Sequence, residues 1–325
     1  MTVNVPKPCL LIMPTSFYSF ASIIARGLEQ AGYTVTIAND EYPDSLFGRL
    51  LGKLGIHALL AARTRRVLAA RFLEGRHYAL TLIIKGRGMS PALLALIKQH
   101  STLTVGYNFD SFAYNPAALG WYDCADRYVT FDYADAEKYG LPLVDLFSSL
   151  PIADGPKQVR YDVSAILRNH SERLQYVDQV LKATGSTSSY VYVFEQNLFT
   201  FALNFMKSPA LYLKYWDKIS FKSLPYKDYI DVLQRSDFTI DYAHPSQTGI
   251  TIRCFEALSA QTKYITNNPY VSRNAQFHGD NGIVFARGGD RARLAADYAA
   301  RRGKPSAVHH RSIAQFIAEL TGAAP

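Results

Sequence analysis

Short, wholly apolar runs alternate with stretches of helical periodicity through the first half of the chain. Pro8–Met13 (PCLLIM) predicts a buried strand, and Ser16 to Ala31 predicts an amphipathic helix ending near Gly32. Tyr33–Ala38 (YTVTIA), Tyr78–Ile84 (YALTLII), Leu103–Tyr107 (LTVGY) and Arg127–Phe131 (RYVTF) predict further strands. Pro91–His100 predicts a helix with Ser90 as its N-cap and Pro91 in the first position. Short apolar strands separated by helices belong in a parallel sheet covered on both faces.

Residues 142–155 break this rhythm, and Pro151, Asp154, Gly155 and Pro156 mark a linker. The pattern then restarts. Strands over Tyr161–Leu167, Tyr190–Phe194, Phe238–Asp241 and Lys263–Thr266 alternate with helices over Ser171–Thr184, Tyr226–Gln234 and Ile250–Ser259. Helices over Arg291–Arg301 and His309–Leu320 complete the pattern. The expected fold is α/β, two Rossmann-like doubly wound domains over 1–157 and 158–325, a division that suits a chain of 325 residues. The last helix packs back on the first domain in this reading, and a ligand cleft lies between the carboxyl ends of the two sets of strands.

Leu46 to Leu73 follows neither pattern. It carries Arg49, Lys53, Arg63, Arg65, Arg66 and Arg71 and no acid before Glu74, interleaved with Leu, Ile, Phe and Ala. Such a basic amphipathic segment either lies on an anionic membrane face or packs on the sheet with its basic side in water.

The formal charge of +8 divides into +2 over residues 1–157 and +6 over 158–325. The excess in the second half suits a phosphate-bearing ligand or an anionic surface, or is a solvated basic face. No compact basic-aromatic motif accompanies it, which argues against nucleic acid. Cys9, Cys124 and Cys254 are odd in number, widely spaced and without a metal pattern, as buried thiols of a reducing cytoplasm would be. No apolar run approaches the roughly 20 residues of a spanning helix, and Cys9–Met13, flanked by prolines, is no secretory signal.

The turn after the first strand, Pro14-Thr15-Ser16-Phe17, lacks the glycines of a dinucleotide fingerprint. Phosphate-loop, zinc-protease and nucleophile-elbow motifs are absent as well. The densest signal is Asp241-Tyr-Ala-His244-Pro-Ser-Gln247-Thr248-Gly249-Ile-Thr251-Ile-Arg253-Cys-Phe-Glu256-Ala-Leu-Ser259. A strand ends at Asp241 and a helix is expected to begin near Gly249, where free N–H groups and the dipole would form an anion site. Arg253, one turn on, could join that phosphate, and Glu256 shares its face and suits vicinal sugar hydroxyls. The competing reading makes Arg253 and Glu256 an ion pair, with Ser246 or Thr248 as a plain N-cap.

This segment resembles the donor-binding region of GT-B glycosyltransferases. More narrowly, the chain is similar to bacterial lipopolysaccharide and capsular polysaccharide glycosyltransferases. Their Q-T-G-x-T-x-R-x-x-E-A-L segment is preceded here by Ile84-Lys85-Gly86, Phe109-Asp110-Ser111 and Tyr161-Asp162-Val163-Ser164. The resemblance implies a nucleotide-sugar donor bound by His244, Gln247, Thr248, Gly249, Thr251 and Glu256, the last on the ribose hydroxyls. Thr248 stands where a retaining relative would carry the first glutamate of a Glu-x7-Glu pair, so that residue's role is not carried over. Phe221 or Tyr226 could stack on the base or fill the core, and Arg168 could meet the pyrophosphate or lie in a solvated loop.

In the first domain Asp110 follows a strand directly, in the place of an inverting transferase's general base, or simply belongs to an Asx-turn. Lys85 and Arg87 either hold an acceptor phosphate or the donor, or lie in a mobile loop. The resemblance thus implies a transferase passing sugar from a nucleotide-sugar to a glycolipid or polysaccharide acceptor. It would work with no cofactor beyond that co-substrate and no metal, in the cytoplasm or at the inner membrane face. Arg253 would stabilise the departing diphosphate. Two alternatives stand beside it, a sugar-nucleotide epimerase or hydrolase and a non-catalytic nucleotide- or glycan-binding protein.

Overall fold

The computed structural model describes residues 7–14, 20–54, 56–153 and 155–322. The chain forms two α/β units. The first takes 1–146, 246–249 and 312–325, and the second takes 147–245 and 250–311. The division therefore departs from a single boundary at 157. Residues expected to end the first domain belong to the second because their polar groups are used there: the Ala153 N–H donates to Ser259 O, and Lys157 Nζ to Gln261 O at 2.7 Å.

In the first unit the elements are β1 (Lys7–Ile12), α1 (Phe20–Gln30), β2 (Tyr33–Ala38), α2 (Leu46–Lys53), α3 (His57–Leu68), β3 (Leu80–Ile84), α4 (Pro91–Gln99), β4 (Thr104–Asn108), β5 (Arg127–Thr130) and α5 (Tyr133–Tyr139). The strands form one parallel sheet in the order β2-β1-β3-β4-β5. β3 is buried along its whole length, as an apolar strand between two helical layers must be. Leu10, Ile12, Ile83, Leu93, Ile97 and Trp121 lie at the centre of the core. The expected helix of Leu46–Leu73 is broken into α2 and α3, with a wider helical turn over Ala69–Leu73. The expected start of α1 at Ser16 lies outside the described residues, as does Asp154 of the linker.

In the second unit the elements are β6 (Tyr161–Arg168), α6 (Arg173–Thr184), β7 (Ser189–Phe194), α7 (Leu198–Lys207), α8 (Pro209–Lys214), β8 (Ile219–Ser220), α9 (Tyr226–Gln234), β9 (Ser236–Asp241), α10 (Ile252–Ser259), β10 (Lys263–Thr266), β11 (Gly282–Val284) and α11 (Arg291–Arg301). Again all strands are parallel, in the order β11-β10-β9-β6-β7-β8. The closing helix, α12 (Ile313–Thr321), packs on α1 of the first unit, where a side chain at Gly27 would meet Ile313 at 2.5 Å. Cys9 and Cys254 are buried free thiols, and Cys124 is partly exposed. Among the described residues no helix is long and apolar enough to cross a membrane.

Candidate functional site

Strand order locates the crevice of a doubly wound sheet. In the second unit β6 leads through α6 to β7, while its other neighbour β9 leads through α10 to β10, in the opposite direction along the sheet. The chain diverges at the carboxyl ends of β6 and β9, which is where ligands of such sheets bind.

Arg168 is the last residue of β6, is exposed, and donates to Gln196 Oε1. Ser171 and Glu172 follow with φ of 53° and 64°, two successive non-glycine residues in left-handed backbone. Such conformations persist only where surrounding contacts hold them, and they concentrate at functional sites. The holding contacts are visible. Tyr242 Oη donates to Ser171 O at 2.7 Å, and the Arg173 guanidinium lies over the Tyr242 ring at 6.0 Å. His244 follows β9, and its ring centroid is 6.4 Å from that of His170. Burial, then Arg173, Arg168 and His244, push the His170 imidazole down to about 4, so it is neutral at neutral pH. Two arginines and two histidines thus crowd this strand end, a setting that an anion would relieve.

A second cluster lies on and beside α10. Glu256 is buried, and each carboxylate oxygen accepts a hydroxyl: Ser149 Oγ donates to Oε1 at 2.7 Å and Tyr229 Oη to Oε2 at 2.6 Å. Ser149 Oγ is also 2.7 Å from Tyr226 Oη, and the Tyr226 and Tyr229 rings stack with centroids 6.1 Å apart. Burial raises the Glu256 pKa above the usual carboxylate range, against the opposing pull of Tyr229, Ser149 and Arg253. Arg253 donates from Nη2 to Ile166 O at 2.6 Å, and its buried Nε has no hydrogen-bond partner. Burial disfavours its charge, but Tyr229, Asp241 and Glu256 outweigh that and hold the guanidinium protonated. Thr251 is occupied structurally, donating to Asp241 Oδ1 at 2.6 Å, while Thr266 donates to Asp241 Oδ2 at 2.7 Å.

The anion site expected at Gly249 is corrected. α10 begins at Ile252, and residues 246–249 belong to the first unit. There the buried Asp132 carboxylate takes the N–H groups of Thr248 (2.6 Å) and Gly249 (3.1 Å) and the Thr248 hydroxyl (2.8 Å). Thr248 Oγ1 in turn accepts from the Ala134 N–H in the first turn of α5. Gly249 admits no phosphate. A Cβ there would lie 2.3 Å from the Phe131 ring, so the missing side chain makes room for a phenylalanine. Ser246 is likewise held, its carbonyl accepting from Ser111 Oγ at 2.5 Å.

At the carboxyl ends of the first sheet, Lys85 has a φ of 65° and pairs with Asp110 at 2.7 Å. Gln247 Nε2 donates to Asp110 Oδ1 at 3.2 Å, and the Asp110 N–H donates to Asn108 Oδ1, the Asx-turn foreseen as the plain reading. Arg87 donates its N–H to the buried Asp40, whose carboxyl burial pushes up to about 6 while Arg87 restrains the rise. Phe221 is exposed and packs edge-on against Phe201, 5.6 Å between centroids.

Arg253, Glu256 and Tyr226 are therefore brought together, Arg168 joins His244, and Gln247 joins Asp110 and Lys85. Ser149, His170, Arg173 and Tyr229 were missed by the sequence reading, and so was Asp132. His170 and Arg173 carried a legible signal, since each follows closely on the predicted strand Tyr161–Leu167. Among the described residues no group of three His, Cys, Asp or Glu side chains could hold a metal ion.

No family model matches the chain, and no curated protein matches its sequence. Solved structures do match its fold. AviGT4, a glycosyltransferase involved in avilamycin A biosynthesis, aligns with a TM-score of 0.58 over 98% of this chain and 99% of its own at 11% identity. The UDP-GlcNAc 2-epimerase of Methanocaldococcus jannaschii in complex with UDP-GlcNAc and UDP aligns with a TM-score of 0.55 over 97% and 99%, also at 11% identity. The lipopolysaccharide outer core galactosyltransferase WaaB aligns with a TM-score of 0.53 over 91% and 96% at 10% identity. The chain has the GT-B fold that these proteins share.

Proposed function

We propose that this protein is a glycosyltransferase whose second unit binds a nucleotide-sugar and whose product is a surface glycan. The observation that carries the reading is Glu256, a buried carboxylate with both oxygens taken by hydroxyls at 2.6–2.7 Å. A ribose offers a vicinal pair of hydroxyls to the same two acceptors, in exchange for Ser149 and Tyr229. The solved structure of the same fold that contains UDP-GlcNAc and UDP makes a uridine diphosphate sugar the first donor to try. In this reading the diphosphate lies at the strand end crowded by Arg168, His170, Arg173 and His244, and the unpartnered Nε of Arg253 reaches toward it. Placed there before the reaction, the arginines Arg168, Arg173 and Arg253 stabilise charge as it develops on the departing nucleotide, with the two imidazoles beside them. Tyr226 or Phe221 receives the base.

The first unit presents the acceptor. Asp110, steadied by Lys85 and Gln247, takes the proton of the attacking hydroxyl, and Lys85 and Arg87 meet an acceptor's anionic groups. No step is assigned to a metal or other cofactor. A lipopolysaccharide acceptor is the first to try, given the likeness to WaaB, and a lipid-linked acceptor implies work at the inner membrane face. The α2–α3 segment supports that placement. Leu46, Phe47, Leu50, Leu54 and Leu59 are exposed on it, and so are Arg63, Arg65, Arg66 and Arg71, a composition suited to an anionic bilayer.

Donor cleavage by the wild type, Arg253→Ala and Asp110→Asn, with a panel of UDP-sugars, tests this. The reading expects slow donor hydrolysis by the wild type, a loss of at least a hundredfold with Arg253→Ala, and transfer lost with unchanged donor affinity in Asp110→Asn. Equal rates for wild type and Arg253→Ala remove Arg253 from the reaction. The fold match to a 2-epimerase, between those to AviGT4 and WaaB in TM-score, supports a second reading, in which donor is converted to an epimer without any acceptor. Product analysis separates the two.

A further inference from the structure

We infer that the outer face of α7, with Leu213 and Trp216 beyond it, is a second docking surface for an anionic lipid bilayer, independent of the glycosyl-transfer reading. Surface helices normally carry one apolar stripe, and a helix apolar all round is one that something covers on every side. α7 (LFTFALNFMK) confines its polar residues, Thr200, Asn204 and Lys207, to one narrow strip and is apolar around the rest, far more than one stripe. Its inner side is accounted for: Phe201 and Phe205 pack on the core of the second unit, and Asn204 Nδ2 donates to the buried Glu195 at 3.2 Å. Leu198, Phe199, Ala202, Leu203 and Met206 then fall on the other side, within an arc of about 140° at 100° per residue. That arc is bare. Leu198 and Phe199 are each 72% exposed and Met206 68%, and nearby Leu213 is 64% and Trp216 59% exposed.

The charge around this face selects its occupant. Residues 198–222 hold Lys207, Lys214, Lys218 and Lys222; Lys214 pairs with Asp178 at 2.6 Å and Lys218 with Asp217 at 2.7 Å, so Lys207 and Lys222 supply the net positive charge here. A second copy of the chain would bring these lysines against their own equivalents, whereas lipid phosphates would meet them with opposite sign. A tryptophan among lysines at the border of an apolar face is also the composition of a bilayer interface, where the indole sits at headgroup depth.

The chain contains two tryptophans, Trp216 and the fully buried Trp121, so an emission change on adding vesicles reports Trp216. The intact protein is mixed with vesicles of phosphatidylcholine alone or with phosphatidylglycerol added. The expected result is co-sedimentation with the anionic vesicles, a blue shift of Trp216 on binding, and at least a tenfold loss of partitioning in Phe199→Asp/Met206→Asp. A Leu46→Asp/Phe47→Asp variant run in parallel reads the α2–α3 face separately. Binding that this variant abolishes while Trp216 emission stays unchanged and the α7 variant binds normally overturns the inference and leaves the α2–α3 proposal intact. A Trp216 shift that follows protein concentration without vesicles overturns it in favour of a second copy.

Discussion

The carboxyl ends of the two sheets treat charge in opposite ways. In the first unit every acid named above has its counterpart within the unit: Asp132 is met by three donors from 248–249, Asp110 by Lys85 and Gln247, and Asp40 by Arg87. In the second unit the guanidiniums of Arg168 and Arg173 gather beside the rings of His170 and His244, and burial, reinforced by those neighbours, keeps His170 unprotonated at neutral pH. A site that is complete by itself holds the fold, and one left with excess positive potential is ready for an anion. The difference teaches that sequence spacing of polar residues around a strand end does not say which kind of end it is. The partners decide.

The comparison breaks most sharply at Asp132. Removing it leaves three backbone N–H groups, those of Asp135, Thr248 and Gly249, and a hydroxyl without their acceptor, so Asp132→Ala should lower unfolding stability by about 3–5 kcal/mol, read by urea titration. A change below about 1 kcal/mol would mean that water replaces the carboxylate and that the first site is not self-contained. In the second unit Glu256→Gln should behave inversely. Burial already disfavours the ionised carboxylate, so at neutral pH the amide should leave the melting temperature unchanged or raise it. Nucleotide affinity should nevertheless fall by about 2–3 kcal/mol, some thirtyfold or more by calorimetry, because charged hydrogen bonds to the ribose are lost. Parallel losses in stability and affinity would return Glu256 to the structural class.

The smallest effect, and the one that sharpens the contrast, concerns His170. Its folded-state pKa of about 4 lies below the unfolded value of about 6.5, so the unfolded chain takes up the proton first. Stability from this group is present above the unfolded value and is lost as pH falls through the window from about 6.5 to about 4. His170→Gln should flatten that part of the curve. A diphosphate beside the ring favours the imidazolium, so nucleotide affinity should gain more between pH 7 and 5.5 in the wild type than in His170→Gln. Identical pH profiles for the two proteins would detach His170 from the ligand.

Much of the architecture was legible because buried parallel strands write themselves as continuous apolar runs, as Leu80–Ile84 does. α7 was passed over because its apolar residues spread well beyond one stripe, and α5 and α8, with 7 and 6 residues, are too short to establish a period. Within the site, the motif around Glu256 was readable from its spacing on one helix. Gly249 was misread because its partner, Asp132, lies 117 positions earlier in the chain, and a glycine that accommodates Phe131 looks the same as one that accommodates a phosphate. Ser149 was hidden in a stretch whose prolines and glycine mark a linker, although its hydroxyl reaches Glu256.

Cys254 sits between Arg253 and the carboxyl-terminal turns of α10, wholly enclosed, with its thiol pKa driven far above the ordinary value by burial. A reagent can alkylate that sulfur only while the helix has come away from the sheet, whereas Cys124 stays open to reaction throughout. With the other buried thiol removed as Cys9→Ala, the slow phase of labelling is therefore a clock for the opening of α10, and its rate relative to a free thiol measures the free energy of that opening. Any molecule that settles against Glu256 and Arg253 must slow the clock by the factor with which it favours the closed helix.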